Sequence, residues 1–447
     1  MIDFLMEVFK EYTSDEAVIW KNNIFYYNWL YEKVIFWKEN ISKEGIKKGE
    51  VVVIEADFSP NSIALFLALA DKNCIILPLT KSVKNKKQEF LEIAQAEKII
   101  TIDEDDNITF DKLSFQATHE FYNELKKKNH PGLILFSSGS TGKSKAALHD
   151  LSGILEKFKI RKKKMRTITF LLYDHIGGVN TLLYVLSNGG TVITIQDRNP
   201  DSVFKLVQDY KAELIPTSPT FINLILISEA YKRYDLNSLK IVTYGTEPMP
   251  ESTLKKFSEI FPNIKLQQTY GLSEIGILRS KSKSNDSLWV KIGGEGFETR
   301  VVNGLLEVKA KSAMIGYLNA PSPFTQDGWF MTGDLVEVNG EFIKILGRKS
   351  EIINVGGEKV YPAEVESVIL EIDKVAEVTV YGERNPITGN IVCAKVKLKE
   401  YIDKKEFITT LKKYCNKKLQ SFKVPIKVFI DDKEQFSDRF KKVRKTD

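Results

Sequence analysis

The sequence predicts an α/β protein: a large N-terminal domain with parallel-rich sheets covered by helices plus a β-rich subdomain, then a small α+β C-terminal domain. Three observations predict it. Short β-branched runs alternate with amphipathic helical stretches through the middle of the chain, which calls for parallel strands with helices on their faces. After about residue 290 the pattern changes to short strands joined by Asn-Gly pairs, good hairpin turns because both residues tolerate positive φ. From Glu351 onward the order is strand, helix, two strands, helix, strand.

In order, residues 51–55 and 74–79 read as strands around the apolar run 62–70. Residues 191–195 form a β-branched run. Val203, Leu206, Val207 and Tyr210 give 201–211 helical spacing. Strands follow at 214–216, 240–244 and 264–268, with helices at 220–230 and 251–261 between them. Hairpins are expected around Asn303-Gly304 and Asn339-Gly340. The last segment predicts helices at 362–371 and 404–416 and strands at 376–381, 392–398 and 427–430. The expected division is 1–347, a hinge at 348–350, and 351–447.

Composition bounds the function. With 447 residues, 43% of them hydrophobic and 28% charged, the chain can bury a full core, and wholesale disorder is excluded. Its apolar runs fall short of the roughly 20 residues that cross a bilayer, and the N-terminal residues do not read as a signal peptide. A cytoplasmic protein with no integral membrane association is expected. Cys74, Cys393 and Cys415 are scattered, which fits neither a disulfide framework nor a zinc site. A net charge of +6 is small, the lysine runs at 84–87, 126–128 and 159–166 read as solvated surface, and no nucleic-acid partner is expected.

The strongest local signal is Ile134-Leu-Phe-Ser-Ser-Gly-Ser-Thr-Gly-Lys-Ser-Lys-Ala-Ala147. A hydrophobic strand runs into Ser137, Ser138, Gly139, Ser140, Thr141 and Gly142, with Lys143 and Lys145 behind them. Small residues let backbone N–H groups approach an anion, hydroxyls add donors, and lysines add charge. A Walker loop needs glycine where Ser137 stands, so another phosphate-loop family is required.

Four further motifs follow in order: Gln267-Gln-Thr-Tyr-Gly-Leu-Ser-Glu274, Gly328-Trp-Phe-Met-Thr-Gly-Asp334, Gly347-Arg348, and Ile353-Asn-Val-Gly-Gly-Glu-Lys-Val-Tyr-Pro-Ala-Glu-Val-Glu366. With the serine-rich loop they resemble the signatures of the ANL superfamily of adenylate-forming enzymes, over about residues 130–447. Ser144 stands for the usual proline of the loop and Ser273 for threonine.

By its chemistry, Tyr270 beside Gly271 offers a face to a purine, Glu274 is a hard ligand for Mg²⁺, and Asp334 and Arg348 suit ribose. The resemblance implies that Thr141 and Glu274 hold the metal, that Asp334 and Arg348 hold the ribose, and that Gly245, Thr246, Glu247, Pro248, Thr269 and Ser273 line the nucleotide site. Tyr244, Asp174, His175, Gly177, Gly178 and Gly276 are then the acid pocket, the glycines leaving room for a side chain or ring. Asp174 replaces the usual aromatic; in amino-acid-activating relatives a nearby Asp grips the substrate ammonium. Lys442 aligns with the family's catalytic lysine, with Lys441 in place of a glycine and Lys445 in place of an arginine. Ser350 takes the hinge of a mobile C-terminal domain, and Val355, Gly356 and Gly357 the thiol passage.

The expected activity is ATP-dependent activation of a small carboxylic acid as its adenylate, then transfer to a pantetheine thiol, with coenzyme A as acceptor and Mg²⁺ as cofactor. Alternatives are an acyl-AMP ligase loading an acyl carrier protein, a stand-alone amino-acid-activating enzyme, and, more remotely, a nucleotide-binding regulator without chemistry.

Overall fold

A computed structural model describes residues 1–138 and 144–444. Two seven-stranded sheets form the body of the large lobe. In the first, Lys265–Gln268, Ile241–Tyr244, Leu214–Thr217, Arg166–Ile168, Thr191–Ile193 and Glu16–Trp20 run parallel, and Asn23–Tyr26 closes the edge antiparallel. In the second, Gly132–Ser138, Ile75–Leu79, Val51–Glu55 and Lys98–Ile102 are the parallel centre, flanked by antiparallel strands.

Helices fill the space between the two sheets. Strand residues divide by parity: Val52, Ile54, Leu133 and Leu135 face this shared core, while Val51, Val53, Ile134 and Phe136 face a second core on the outer side. Side chains alternate across a strand, so a strand buried on both faces reads as a continuous apolar run. The helix Pro60–Asp71 is apolar on every side because it lies wholly inside, with ten of its residues buried. Ser59 and Ser62 close a capping box at its start, and Pro60 occupies the first turn, where no N–H is needed.

A six-stranded antiparallel sheet follows, from Arg279–Ser282 to Phe342–Arg348. At Asn303-Gly304 both residues have positive φ, 52° and 78°, as the hairpin requires. The second hairpin is one residue off the expected one. Asn339 pairs with Phe342, so the turn is Gly340-Glu341 and glycine alone takes positive φ. Asp334 lies inside the strand Phe330–Asn339.

The small lobe packs the helices Pro362–Leu370 and Lys404–Lys418 on a five-stranded sheet. Its buried core runs from Ile353 to Val424 and includes no buried residue of the large lobe. Between the lobes stands the short 3₁₀ turn Lys349–Glu351 with Ser350 exposed. The lobes touch through hydrogen bonds: Asn223 Nδ2 donates to Ala376 O at 2.9 Å, and Ser252 N to Ser367 Oγ at 3.0 Å.

Candidate active site

The loops that follow the parallel strands carry most of the predicted residues, at the carboxyl ends of the sheets where open α/β folds bind ligands. Gly132–Ser138 pairs antiparallel with Ser144–Asp150, and the paired strands end at this edge with Ser138 opposite Ser144. Gly139, Ser140, Thr141, Gly142 and Lys143 lie outside the described residues, and so does the expected role of Thr141 at the metal.

Ser137 Oγ donates to Glu274 Oε1 at 3.2 Å, so the end of the strand Gly132–Ser138 meets the Glu274 loop. Tyr317 donates its hydroxyl to the same oxygen at 2.7 Å. Burial, then the charge of Glu274, pushes the Tyr317 phenol well above its ordinary value, so it stays a donor. The Lys145 ammonium stands 5.2 Å from the Tyr317 ring centre. Behind the loop, His149 is fully buried and hydrogen-bonds the carbonyl of Ser273. Tyr317 and His149 carried no sequence signal of this role: Tyr317 lies in a short strand with no local motif, and His149 lies just past the serine-rich motif on the strand Ser144–Asp150.

On the nucleoside side, Tyr270, Asp334 and Arg348 come together. Tyr270 donates to Asp334 Oδ2 at 2.7 Å, and Arg348 Nε stands 3.5 Å from Oδ1. Arg348 faces Asp334 because the two are paired across neighbouring strands. Burial raises the Asp334 carboxyl, while Arg348 and the Tyr270 hydroxyl pull it back down. Tyr270 itself is only 5% exposed and packs in the core beneath the antiparallel sheet.

The loop after Ile241–Tyr244 is tightly held. Thr269 N and Oγ1 both donate to Tyr244 O. A Cβ on Gly245 would lie 2.7 Å from Thr269 Oγ1. Thr246 sits at φ 74°, a left-handed conformation that a β-branched residue rarely keeps. Glu247 receives the Thr220 amide at 2.9 Å through Oε1, and Pro248 follows it. Tyr244, expected in the acid pocket, is instead buried in the core under the sheet.

The acid side departs further from expectation. The glycines leave no open room. A Cβ on Gly178 would fall 2.0 Å from Leu172 O, and one on Gly177 2.6 Å from Leu171 Cδ1. This pair lets the helix Ile176–Ser187 start against its own preceding loop. Gly276 (φ 83°) serves a turn, with Ser312 Oγ 3.2 Å from the position of a Cβ. His175 caps that helix, its Nδ1 accepting from Gly177 N at 3.0 Å. Burial, then Lys441 and Arg439, holds its imidazole well below the ordinary value. The ring is therefore neutral, with its proton on Nε2. Asp174 is 3% exposed, and Oδ2 accepts from Thr80 Oγ1 at 3.0 Å and from Arg439 at 3.2 Å.

The C-terminal lysines Lys441 and Lys442 have different surroundings. Lys442 Nζ lies 2.7 Å from Glu366 Oε2, inside the small lobe, where Arg444 joins the same oxygen at 3.0 Å. Burial raises the Glu366 carboxyl, but Arg444 and Lys442 outweigh it and hold it below the usual range. Lys441 points the other way. Burial, then Arg439, pushes its ammonium down to about 8, while Glu247 and Glu274 oppose that shift and Arg348 adds to it. The residues flanking Lys441 are held by the large lobe, Arg439 on Asp174 and the Lys442 amide on Glu247. Phe440, at φ 50°, occupies the left-handed position that a glycine takes without strain. Gly356-Gly357 form an exposed turn, with nothing within 4 Å of a Cβ built on either.

The model of the AMP-binding enzyme family matches residues 7–302, and that of the AMP-binding enzyme C-terminal domain matches 364–435. The chain belongs to the AMP-binding enzymes. It is an adenylate-forming ligase of the acid–thiol class. A 2-succinylbenzoate–CoA ligase of Bacillus cereus is 24% identical over 434 residues, covering 90% of this chain and 88% of the relative. The indoleacetate–CoA ligase of Aromatoleum aromaticum is 29% identical over 293 residues, 60% of this chain and 57% of that protein. Among solved structures, o-succinylbenzoate CoA synthetase from Bacillus subtilis bound to its acyl-adenylate superposes with a TM-score of 0.78 at 21% identity, covering 99% of this chain and 96% of that one. The same synthetase has been solved with ATP and magnesium. No helix among the described residues is long and apolar enough to cross a membrane.

Proposed function

We propose that this AMP-binding enzyme is an acid:coenzyme A ligase with Lys441 as the lysine of adenylate formation. The observation that carries the assignment is that the backbone on both sides of Lys441 is held by the large lobe, Arg439 on Asp174 and the Lys442 amide on Glu247, while the Lys442 ammonium is taken by Glu366 and the Lys441 ammonium has no hydrogen bond or ion pair of its own among the described residues. A carboxylate is a poor acyl donor, since oxide or hydroxide is a hopeless leaving group. In the first step a substrate carboxylate oxygen bonds to the α-phosphorus of ATP, and pyrophosphate departs. Lys441 neutralises the charge that develops on phosphorus, and the 137–145 loop receives the pyrophosphate. Asp334 and Arg348 hold the ribose, Tyr270 fixes Asp334, and the loop 245–248 walls the base. In the second step the thiolate attacks the acyl carbon and AMP leaves.

Mg²⁺ fits Glu274: one of its oxygens is held by Ser137 and Tyr317, and the other takes no hydrogen bond among the described residues. Magnesium characteristically uses one or two carboxylates plus substrate phosphates, and would screen charge on the phosphate oxygens when bound.

Because Gly356-Gly357 is exposed while Lys441 is in the cleft, we assign this arrangement to the adenylating state. Rotation about 348–350 would exchange Lys441 for the turn at Val355, Gly356 and Gly357. The named relatives act on aryl acids, which favours an aryl acid here. The Arg439 guanidinium on Asp174 argues against amino acids, because the carboxylate is already neutralised.

The test is pyrophosphate exchange with ATP, Mg²⁺ and, in turn, benzoate, indoleacetate, 2-succinylbenzoate, octanoate and phenylalanine. Exchange with an aryl acid, and thioester only when coenzyme A is added, is expected. Exchange without thioester would favour an acyl-AMP ligase that loads a carrier protein. A chain that binds ATP but exchanges with no acid would be the regulator.

A further inference from the structure

The Lys441 ammonium is useful only if the tail that carries it is held still. The tail residues 435–443 form a tight hairpin: Ser437 N donates to Lys441 O at 2.9 Å, and Val443 N to Gln435 O at 3.0 Å. Three large-lobe features grip its tip. Asp174, almost fully buried, receives Arg439 at 3.2 Å. The Phe440 ring sits 5.2 Å from Phe170 and 5.5 Å, edge-on, from Phe221, and stacks on Phe436 within the tail at 5.2 Å. Glu247 Oε2 accepts the Lys442 amide at 3.0 Å. The contacts flank Lys441 on both sides in sequence.

Two features show that this is a built seat. Asp174 Oδ1 has no hydrogen-bond partner among the described residues, and the one ion pair this buried carboxylate makes among them is with a guanidinium from the other lobe, Arg198 of its own lobe acting on it without direct contact. Removing one member of such a pair leaves a charge uncompensated. Phe440 keeps a bulky ring at φ 50°, where a side chain costs about 1–2 kcal/mol relative to glycine. A ring retained against that strain is explained by the aromatic socket it fills.

We propose that Arg439 and Phe440 are positioning residues for adenylate formation: seated on Asp174 and on Phe170 and Phe221, they hold the ammonium of Lys441 in the cleft. Asp174 is then the receptor of the enzyme's own tail, not of a substrate ammonium. The seat is engaged when Lys441 is in place and is vacated when the small lobe turns away. This inference rests on Lys441 being the adenylation lysine.

The experiment uses full-length Arg439→Gln, Phe440→Gly, Lys441→Ala and the charge swap Asp174→Arg/Arg439→Asp. Adenylation is followed by pyrophosphate exchange with the fastest acid of the screen. Thiolysis is followed separately, from synthetic benzoyl-adenylate and coenzyme A. A misplaced catalytic group costs up to about 100-fold, so Arg439→Gln and Phe440→Gly should lower the exchange kcat about 10- to 100-fold. KM for ATP and acid should change little, thiolysis should persist, and the swap should recover activity over Asp174→Arg alone. Hydrogen–deuterium exchange gives a reading that needs no acid: the 436–444 peptide should exchange faster in both single variants.

An unchanged kcat, an equal loss in both half-reactions, or unchanged deuterium uptake would overturn the proposal. So would Asp174→Asn acting only through KM for the acid. If Lys441→Ala keeps full exchange, the lysine assignment fails. If Lys441→Ala loses exchange while Arg439→Gln and Phe440→Gly do not, the seat alone fails.

Discussion

The ammonium of Lys442 lies 2.7 Å from Glu366 Oε2, while its amide donates at 3.0 Å to Glu247 of the other lobe. One residue is thus tied to both lobes, and its neighbour Lys441 faces the cleft. Neutralising groups of this kind are worth about 10²–10³ in kcat. Lys441→Ala should therefore lose about that much pyrophosphate exchange with its melting temperature little changed. Lys442→Ala should lose mainly stability. Glu366→Ala should be worse, by about 3–5 kcal/mol, because it strands two buried cations. Thermal melts set beside exchange rates separate the three.

Tyr317 and Ser137 share one oxygen of Glu274. Tyr317→Phe removes a hydrogen bond to a charged group, an effect of about 1–2 kcal/mol, and should slow exchange roughly five- to thirtyfold. Glu274→Gln should do more and raise the Mg²⁺ concentration for half-maximal exchange, which a magnesium titration reads directly.

Lys157 gives a pH signature of stability. Burial, then Arg279, pushes its ammonium down to about 8, although Asn180 Oδ1 accepts from it at 2.6 Å. The unfolded chain keeps the ordinary lysine value near 10.4, so between about 8 and 10.4 it binds more protons than the folded chain, and stability rises with pH there. Measured against Lys157→Met, the wild type should gain up to about 3 kcal/mol across that window, and lose it as pH falls through about 8. Equal slopes in denaturant melts at pH 7.5 and 10.5 would contradict the assignment.

Gly178 tests the reading of the acid side. A Cβ there would meet the Leu172 carbonyl at 2.0 Å. Gly178→Ala should cost about 1–3 kcal/mol through overpacking. The order of preference among acids should stay the same, as it would not if the glycine faced substrate.

Much of the body was legible because its residues announce their period. Val51–Glu55 and Leu214–Thr217 are apolar, bounded and separated by helical spacing. Asp334 and Arg348 could be named from motifs, although their register required the paired strands. The choice between Lys441 and Lys442 is not legible in the sequence, for a physical reason. Neighbouring side chains of an extended segment point to opposite faces, so a single-residue shift exchanges the lysine in the cleft for the one on Glu366. Nothing in the string Phe440-Lys-Lys-Val443 fixes that parity; the contact of Lys442 with Glu366 does. The glycines misled because sequence does not distinguish space kept for a ligand from space filled by backbone. Arg439 and Tyr317 lie far along the chain from the groups they touch, and only folding discloses such partners.

Thr246 holds φ 74° at the rim of the cleft, a strained form that costs about 1–2 kcal/mol. Heat resistance has been relinquished at that spot. Libraries selected only for survival on heating should return Thr246→Gly or Thr246→Asn early, and those survivors should be the sluggish ones.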